Sequence, residues 1–163
     1  MKSLLTLLAL ALVVSTRLSA AAPAAADLER EAVLQVVQQF FDALHAKDAA
    51  LLASTCQPGA QFSSIRPAPE GTVVRARLVE TDVAQIAESK EVWLERMWAP
   101  TVHIEGRIAV VWTRYDFHRD GKLSHNGTDC FTLLKTDQGW KIVNGAYTVE
   151  PSARTENPAG PPK

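Results

Sequence analysis

The sequence predicts an α+β fold in which N-terminal helices pack on one face of a strongly curved, mostly antiparallel sheet. Three observations carry this. An amphipathic helical face runs from Leu28 to His45, the segment Trp112–Val149 reads as three strands in series, and the helical patterns all precede the long strands.

Met1–Ala26 opens with one lysine, continues as the apolar run Leu4–Val14 and ends in the small-residue stretch Ser19–Ala26. That is the layout of a cleavable secretory signal peptide. The apolar run is shorter than the roughly 20 residues a membrane-spanning helix needs, and Arg17 interrupts any extension. Cleavage after Ala20, Ala22 or Ala26 would leave a periplasmic or secreted protein without a stable membrane anchor.

In residues 27–150, expected to form one domain, the first helix repeats Leu28, Ala32, Val33, Val36, Val37, Phe40, Phe41 and Leu44 at spacings of three and four, with Asp27 as N-cap. Lys47-Asp48 breaks it before a shorter helix from Asp48 to Ser54, which Pro58-Gly59 terminates. A strand at Gln61–Ile65 and an extended segment at Thr72–Arg77 flank the loop Pro67–Gly71, and Thr81 caps a third helix over Asp82–Ser89. Four long strands follow at Glu91–Ile104, Arg107–His118, Lys122–Lys135 and Trp140–Val149. Pro100 marks a bulge or an edge in the first of them, since proline cannot donate to a ladder. Asp120-Gly121 supplies the positive backbone angles of a two-residue hairpin turn, and Asp137-Gln138-Gly139 makes the next turn. The tail Pro151–Lys163, with four prolines, cannot bury enough apolar surface to fold by itself and is expected to be disordered.

Composition narrows the partners. The 17 basic residues less Lys2 and Arg17 leave 15 against 18 acidic ones, a mildly acidic mature chain without a basic stripe, so nucleic acid is not an expected partner. Cys56 and Cys130 sit in an exported chain where they could pair, or remain as small buried hydrophobes. Asn126-Gly127-Thr128 matches a glycosylation acceptor but falls inside a strand. Neither a phosphate loop, a dinucleotide fingerprint nor a nucleophile elbow occurs, and no cofactor is expected.

The helix phrase Val36–Leu44, the strand Ile104–Val111 and the run Asp129–Lys135 leading into Gly139–Val143 resemble the nuclear transport factor 2-like superfamily, whose relatives include SnoaL-like cyclases, ketosteroid isomerase and lumazine-binding-type domains. The resemblance covers Glu29–Glu150. It implies helices and sheet forming a cone around an internal pocket, and a homodimer as superfamily members often form. It leaves the chemistry open, because one scaffold hosts enzymes, binders and assembly modules.

Candidate site residues come from turn-based register. If Asp120-Gly121 is a two-residue turn, Asp116 opposes His125 and Trp112 opposes Asp129. One face then carries Ile108, Val110, Trp112, Arg114, Asp116 and His118 together with Leu123, His125, Asp129, Phe131 and Leu133, and a turn at Glu105-Gly106 adds His103, Met97 and Glu95. The ligand-binding candidates are Trp112, Val110, Phe131, Arg114, His103, Tyr147 and Met97. Asp129, His125 and Asp116 are the catalytic candidates. An aspartate among Trp112, Phe131 and Val110 would have its charged form disfavoured, which suits a general base or a neutral donor; pairing with Arg114 or Tyr147 is the alternative. Asp116 and His125 form a dyad or a solvated cross-strand pair. A metal set of His118, His125, Asp116 and Glu95 lacks compact ligand spacing, and no metal is expected. Val111, Thr113, Tyr115 and Phe117 fall on the convex face, apolar enough for a homodimer through the sheet. The reading is an exported domain binding a small, partly apolar molecule, with cofactor-independent acid/base catalysis or a structural interaction module as alternatives.

Overall fold

The computed structural model describes residues 24–150 and 156–162. The segment Met1–Ala26, expected to be a signal peptide, lies outside them except for Ala24–Ala26. Among the described residues the order is α1 (Ala25–Ala46), α2 (Ala49–Thr55), β1 (Cys56–Ala68), β2 (Gly71–Leu78), α3 (Val79–Glu88), β3 (Trp93–Glu105), β4 (Ile108–Arg119), β5 (Lys122–Thr136) and β6 (Gly139–Thr148). No described helix is long and apolar enough to cross a membrane.

The six strands form one sheet in the order β2-β1-β6-β5-β4-β3, antiparallel except for the β1–β6 pair. Three helices curl over its inner face, giving the expected α+β cone. Helix α1 starts earlier than its sequence pattern, at the Ala24 cap, and Asp27 stands in its first turn, where a carboxylate complements the helix dipole. It ends at Lys47, which takes a left-handed conformation (φ 56°). Asp48 caps α2 by accepting from the Leu51 amide at 2.9 Å. Helix α2 stops at Thr55 rather than at Pro58-Gly59, which instead form the irregular start of β1, with Gly59 at φ 79°. Helix α3 begins at Val79, not at Thr81, and Leu78 precedes it without a side-chain cap.

Val33, Val37, Phe40, Phe41 and Leu44 of α1 close the core against Phe62, Val111, Phe131, Leu133 and Ile142. Phe40 stacks on Phe62 with ring centroids 5.2 Å apart, and Phe131 meets Phe40 and Phe41 edge-on. Trp140 is buried and donates to Glu29 at 3.0 Å. Cys56 and Cys130 are free thiols, and burial pushes the Cys56 thiol up to about 11.

The bulges decide what the cone contains. One lies at Ala99-Pro100 in β3, where Ala99 has φ 50°, so the Pro100 expectation holds. A second lies in β5: the hairpin pairs Arg119 with Lys122 and His118 with Leu123, but Phe117 with His125, leaving Ser124 unpaired. Beyond it every partner shifts by one, and a one-residue shift turns a strand's faces over. Thr113, not Trp112, opposes Asp129, and Asn126, not His125, opposes Asp116. Val111, Thr113, Tyr115 and Phe117 therefore face inward and are buried, which corrects their placement on the convex face. Ile108, Val110, Trp112, Arg114, Asp116 and His118 point outward; Trp112 is 55% exposed.

Of the tail, residues 156–162 are described. They turn at Asn157–Gly160 and dock on the outer face, where Arg96 donates to the Gly160 carbonyl at 2.9 Å and holds Asp116 with two further bonds at 2.9 and 2.5 Å.

Candidate functional site

The inner face encloses a cavity of about 630 Å³. Strand register sets its rows. Across five strands, Arg75, Ser64, Tyr147, Asp129 and Thr113 lie side by side, and the neighbouring row is Arg77, Phe62, Gly145, Phe131 and Val111. Glu95, Phe117 and His125 form a third row nearer the β4–β5 hairpin. Gly145 belongs here for a steric reason: a Cβ on it would stand 2.4 Å from the Phe62 ring, so its missing side chain lets that ring lie against β6.

Four of the sequence candidates line the cavity: Asp129, His125, Phe131 and Tyr147. Met97 is on the same inner face, opposite Tyr115, packed against the core. Trp112, Val110, Arg114, Asp116 and His103 are on the other side of the sheet, the first four through the Ser124 bulge and His103 with them as the partner of Val110, while the Ala99-Pro100 bulge brings Met97 and Glu95 back to the inner face. The two sides separate Asp116 and His118 from Glu95 and His125, so neither the Asp116–His125 dyad nor the four-residue metal set is assembled. Asp116 is instead clamped by Arg96, with His118 Nε2 3.4 Å from its carboxylate.

Asp129 is 3% exposed, and its Oδ2 has neither accessible surface nor a hydrogen-bond partner among the described residues. Burial, reinforced by the charge of Glu95, holds its carboxyl far above the ordinary carboxylate range. Desolvation likewise lifts Glu95, to about 8, with Arg77 pulling it back and Asp116 and Asp82 adding to the rise. Both carboxyls are thus shifted toward their protonated forms, in which a carboxyl donates as well as accepts. His125 is driven the other way, to about 4, by burial and by the charges of Arg119 and Arg66, so its imidazole is neutral. Tyr115, between the Glu95 and Asp129 strands, donates its hydroxyl to the Thr148 carbonyl at 2.7 Å.

The β1–β2 hairpin adds what register reasoning missed. Arg77 pairs with the buried Asp82 of α3, donates to the Tyr147 hydroxyl at 2.7 Å and lies over the Phe62 and Tyr147 rings. Arg66, Arg75 and Arg119, with Ser124, form the more exposed rim of the cavity. The period-two spacing of Arg75 and Arg77, inward partners of Ser64 and Phe62, was the signal available in the sequence.

Helices curled over one face of a bulged sheet, around a cavity with buried carboxyls, define a nuclear transport factor 2-like domain. The chain belongs to the family described as "Putative lumazine-binding", which matches residues 28–148. Solved structures agree on the fold. An NTF2-like protein from Cytophaga hutchinsonii superposes with a TM-score of 0.61 at 18% identity, covering 74% of this chain and 97% of that one. An NTF2-like protein with a cystatin-like fold from Novosphingobium aromaticivorans gives 0.63 at 14% identity, covering 79% and 86%. An NTF2-like superfamily protein from Salmonella enterica gives 0.60 at 18%, covering 84% and 99%. No curated protein matches the sequence.

Proposed function

We propose that this domain is exported by its Met1–Ala26 segment and binds a small, partly apolar molecule inside the cone, with the Asp129 carboxyl as the polar anchor. The observation that carries the binding reading is Asp129 Oδ2. A buried polar atom without a partner costs about 1–3 kcal/mol, and a ligand group entering the cavity would supply the missing hydrogen bond. The apolar remainder of the ligand would lie on the rings of Phe40, Phe62 and Phe131. A cavity of about 630 Å³ is large enough for such a molecule, and it argues against a cone filled by its own side chains. Native mass spectrometry of the protein purified gently from its host tests the binding. A defined extra mass lost in Asp129→Ala is expected, and wild-type protein bare under every condition would count against the reading. Export is tested by the N-terminal residue of protein recovered outside the cytoplasm: a start between Ala21 and Asp27 is expected, and a start at Met1 would refute it.

Acid/base catalysis is the second reading, favoured by Glu95, whose carboxyl at about 8 titrates close to neutral pH, where a group exchanges protons most effectively. Asp129 would be the partner group, and Tyr147 or His125 would orient the substrate. A turnover rate with a pH dependence that vanishes in Glu95→Gln and Asp129→Asn would establish it; saturable binding without turnover of any bound compound would leave the binder. A homodimer through the sheet would use the outer face, where Ile108, Trp112 and Leu134 stand exposed.

A further inference from the structure

We propose that the ligand of this cavity is an anion with an apolar body, its carboxylate or phosphate head held at the rim by Arg66, Arg75 and Arg119. This rests on the cone being a ligand site and adds the ligand's charge class. The argument begins with the balance of charge. Arg77 is committed to Asp82 and Tyr147. Arg119 reaches a carboxylate only at the 3.7 Å of Glu91, and no ion pair engages Arg66 or Arg75 among the described residues. Glu95 and Asp129, the remaining lining carboxyls, are shifted toward their neutral forms and do not offset the guanidiniums.

Solvated arginines on a hairpin would need no ligand. Arg66 is different, because its Nε is removed from solvent and has no acceptor among the described residues. A buried guanidinium N–H without an acceptor is costly, and an oxyanion at the rim would satisfy it with a charge-assisted bond. Arg66 and Arg119 come from β1 and β4, which are not neighbours in the sheet, yet both line this cavity together with His125, whose imidazole feels the charge of each. Arg75 extends the cluster across β2, two residues from Arg77 on the same inward face and opposite Ser64. Three arginines lining one cavity suit carboxylate and phosphate oxygens, both of which arginine forks bind in pairs. Inside them lie the aromatic rings, so charge and apolar surface are stacked in one direction: head at the rim, body within.

Isothermal titration of the full chain at low salt with 2-naphthoate, 2-naphthyl phosphate and neutral 2-naphthylmethanol tests this. The expected result is that at least one anion binds about tenfold or more tightly than the alcohol, with the advantage shrinking as salt is raised. The Arg66→Gln/Arg75→Gln double variant should lose that advantage while its affinity for 2-naphthylmethanol stays within about twofold, which also shows that it has folded. The tighter of the two anions identifies the head as carboxylate or phosphate. Equal affinity for all three in the wild type would overturn the anion assignment and leave the cavity reading standing. Binding of none would overturn both.

Discussion

Glu95 on β3 and Asp129 on β5 share the interior of the cone, and burial pushes each carboxyl above its ordinary range, Asp129 further still once Glu95 ionises. Stability must therefore depend on pH. In the unfolded chain a glutamate releases its proton near 4.5, whereas in the folded chain Glu95 holds it to about 8, so between these values folding takes up a proton and stability falls as pH rises. His125 has the opposite sign: it moves from its ordinary 6.5 to about 4, so between 4 and 6.5 the unfolded chain binds more protons and stability rises with pH. The two oppose each other below 6.5, and above it the carboxyl contribution acts alone. Urea denaturation across a pH series should show the unfolding free energy dropping between pH 6.5 and 8, and the Glu95→Gln/Asp129→Asn double variant should flatten that drop. A wild type whose stability is level over this interval would contradict the buried-carboxyl picture.

His125 also reports on the rim. Its imidazole is kept neutral by burial and then by Arg119 and Arg66, so an anion seated on those arginines cancels their field and raises the imidazole toward its ordinary value. A ring-proton NMR titration with and without 2-naphthyl phosphate should show a rise of about one unit or more when the site is filled. An unmoved titration curve under saturating ligand would place the head group elsewhere.

The fold was legible because its signals are local: helical period in Val33–Leu44, turn chemistry at Asp120-Gly121, whose residues take φ 47° and 74°, and a proline where β3 bulges. The β5 face was legible too, since His125, Asp129, Phe131 and Leu133 keep their alternation downstream of the bulge. The β4 face was not. The extra residue, Ser124, has no glycine or proline to announce it, and its bulge is defined only by the pairing of two strands. That single residue moved Trp112 and Asp116 out of the site and put Thr113 and Tyr115 inside. The arginine rim was not legible for a different reason: the expected segments Gln61–Ile65 and Thr72–Arg77 hold Phe62, Ser64, Arg75 and Arg77 but stop short of Arg66, and nothing local to either segment fixes that they pair with Ser64 opposite Arg75.

Gly145→Ala tests the packing of the aromatic floor. The new methyl would stand 2.4 and 2.6 Å from two atoms of the Phe62 ring, closer than atoms pack, and Phe62 is itself stacked on Phe40. The ring must rotate or β1 must move away from β6, at a cost of about 1–3 kcal/mol typical of overpacking. Urea denaturation should show a lowered midpoint with unchanged slope, together with weaker binding of 2-naphthylmethanol. An unshifted midpoint would mean that Phe62 does not lie against β6 at this point.

Trp112→Ala separates the two sides of the sheet. An exposed tryptophan beside apolar strands invites the reading that it stacks on a flat ligand, and a β4 register without the Ser124 bulge would put it there. In the structure it pairs with Cys130 and Thr101 on the outer face, absent from the cavity lining, with Thr113 occupying the inward position beside Asp129. Its removal should therefore leave 2-naphthylmethanol and 2-naphthoate affinities within about twofold of wild type, and stability within about 0.5 kcal/mol, as for a surface substitution. Thr113→Val is the informative partner variant. It keeps the inward shape but removes the hydroxyl that donates to the Trp98 carbonyl at 3.0 Å, so it should destabilise the β3–β4 pair by roughly 1 kcal/mol. Ligand affinity lost in Trp112→Ala but kept in Thr113→Val would mean that the strand's faces are reversed, and with them the whole assignment of the cavity.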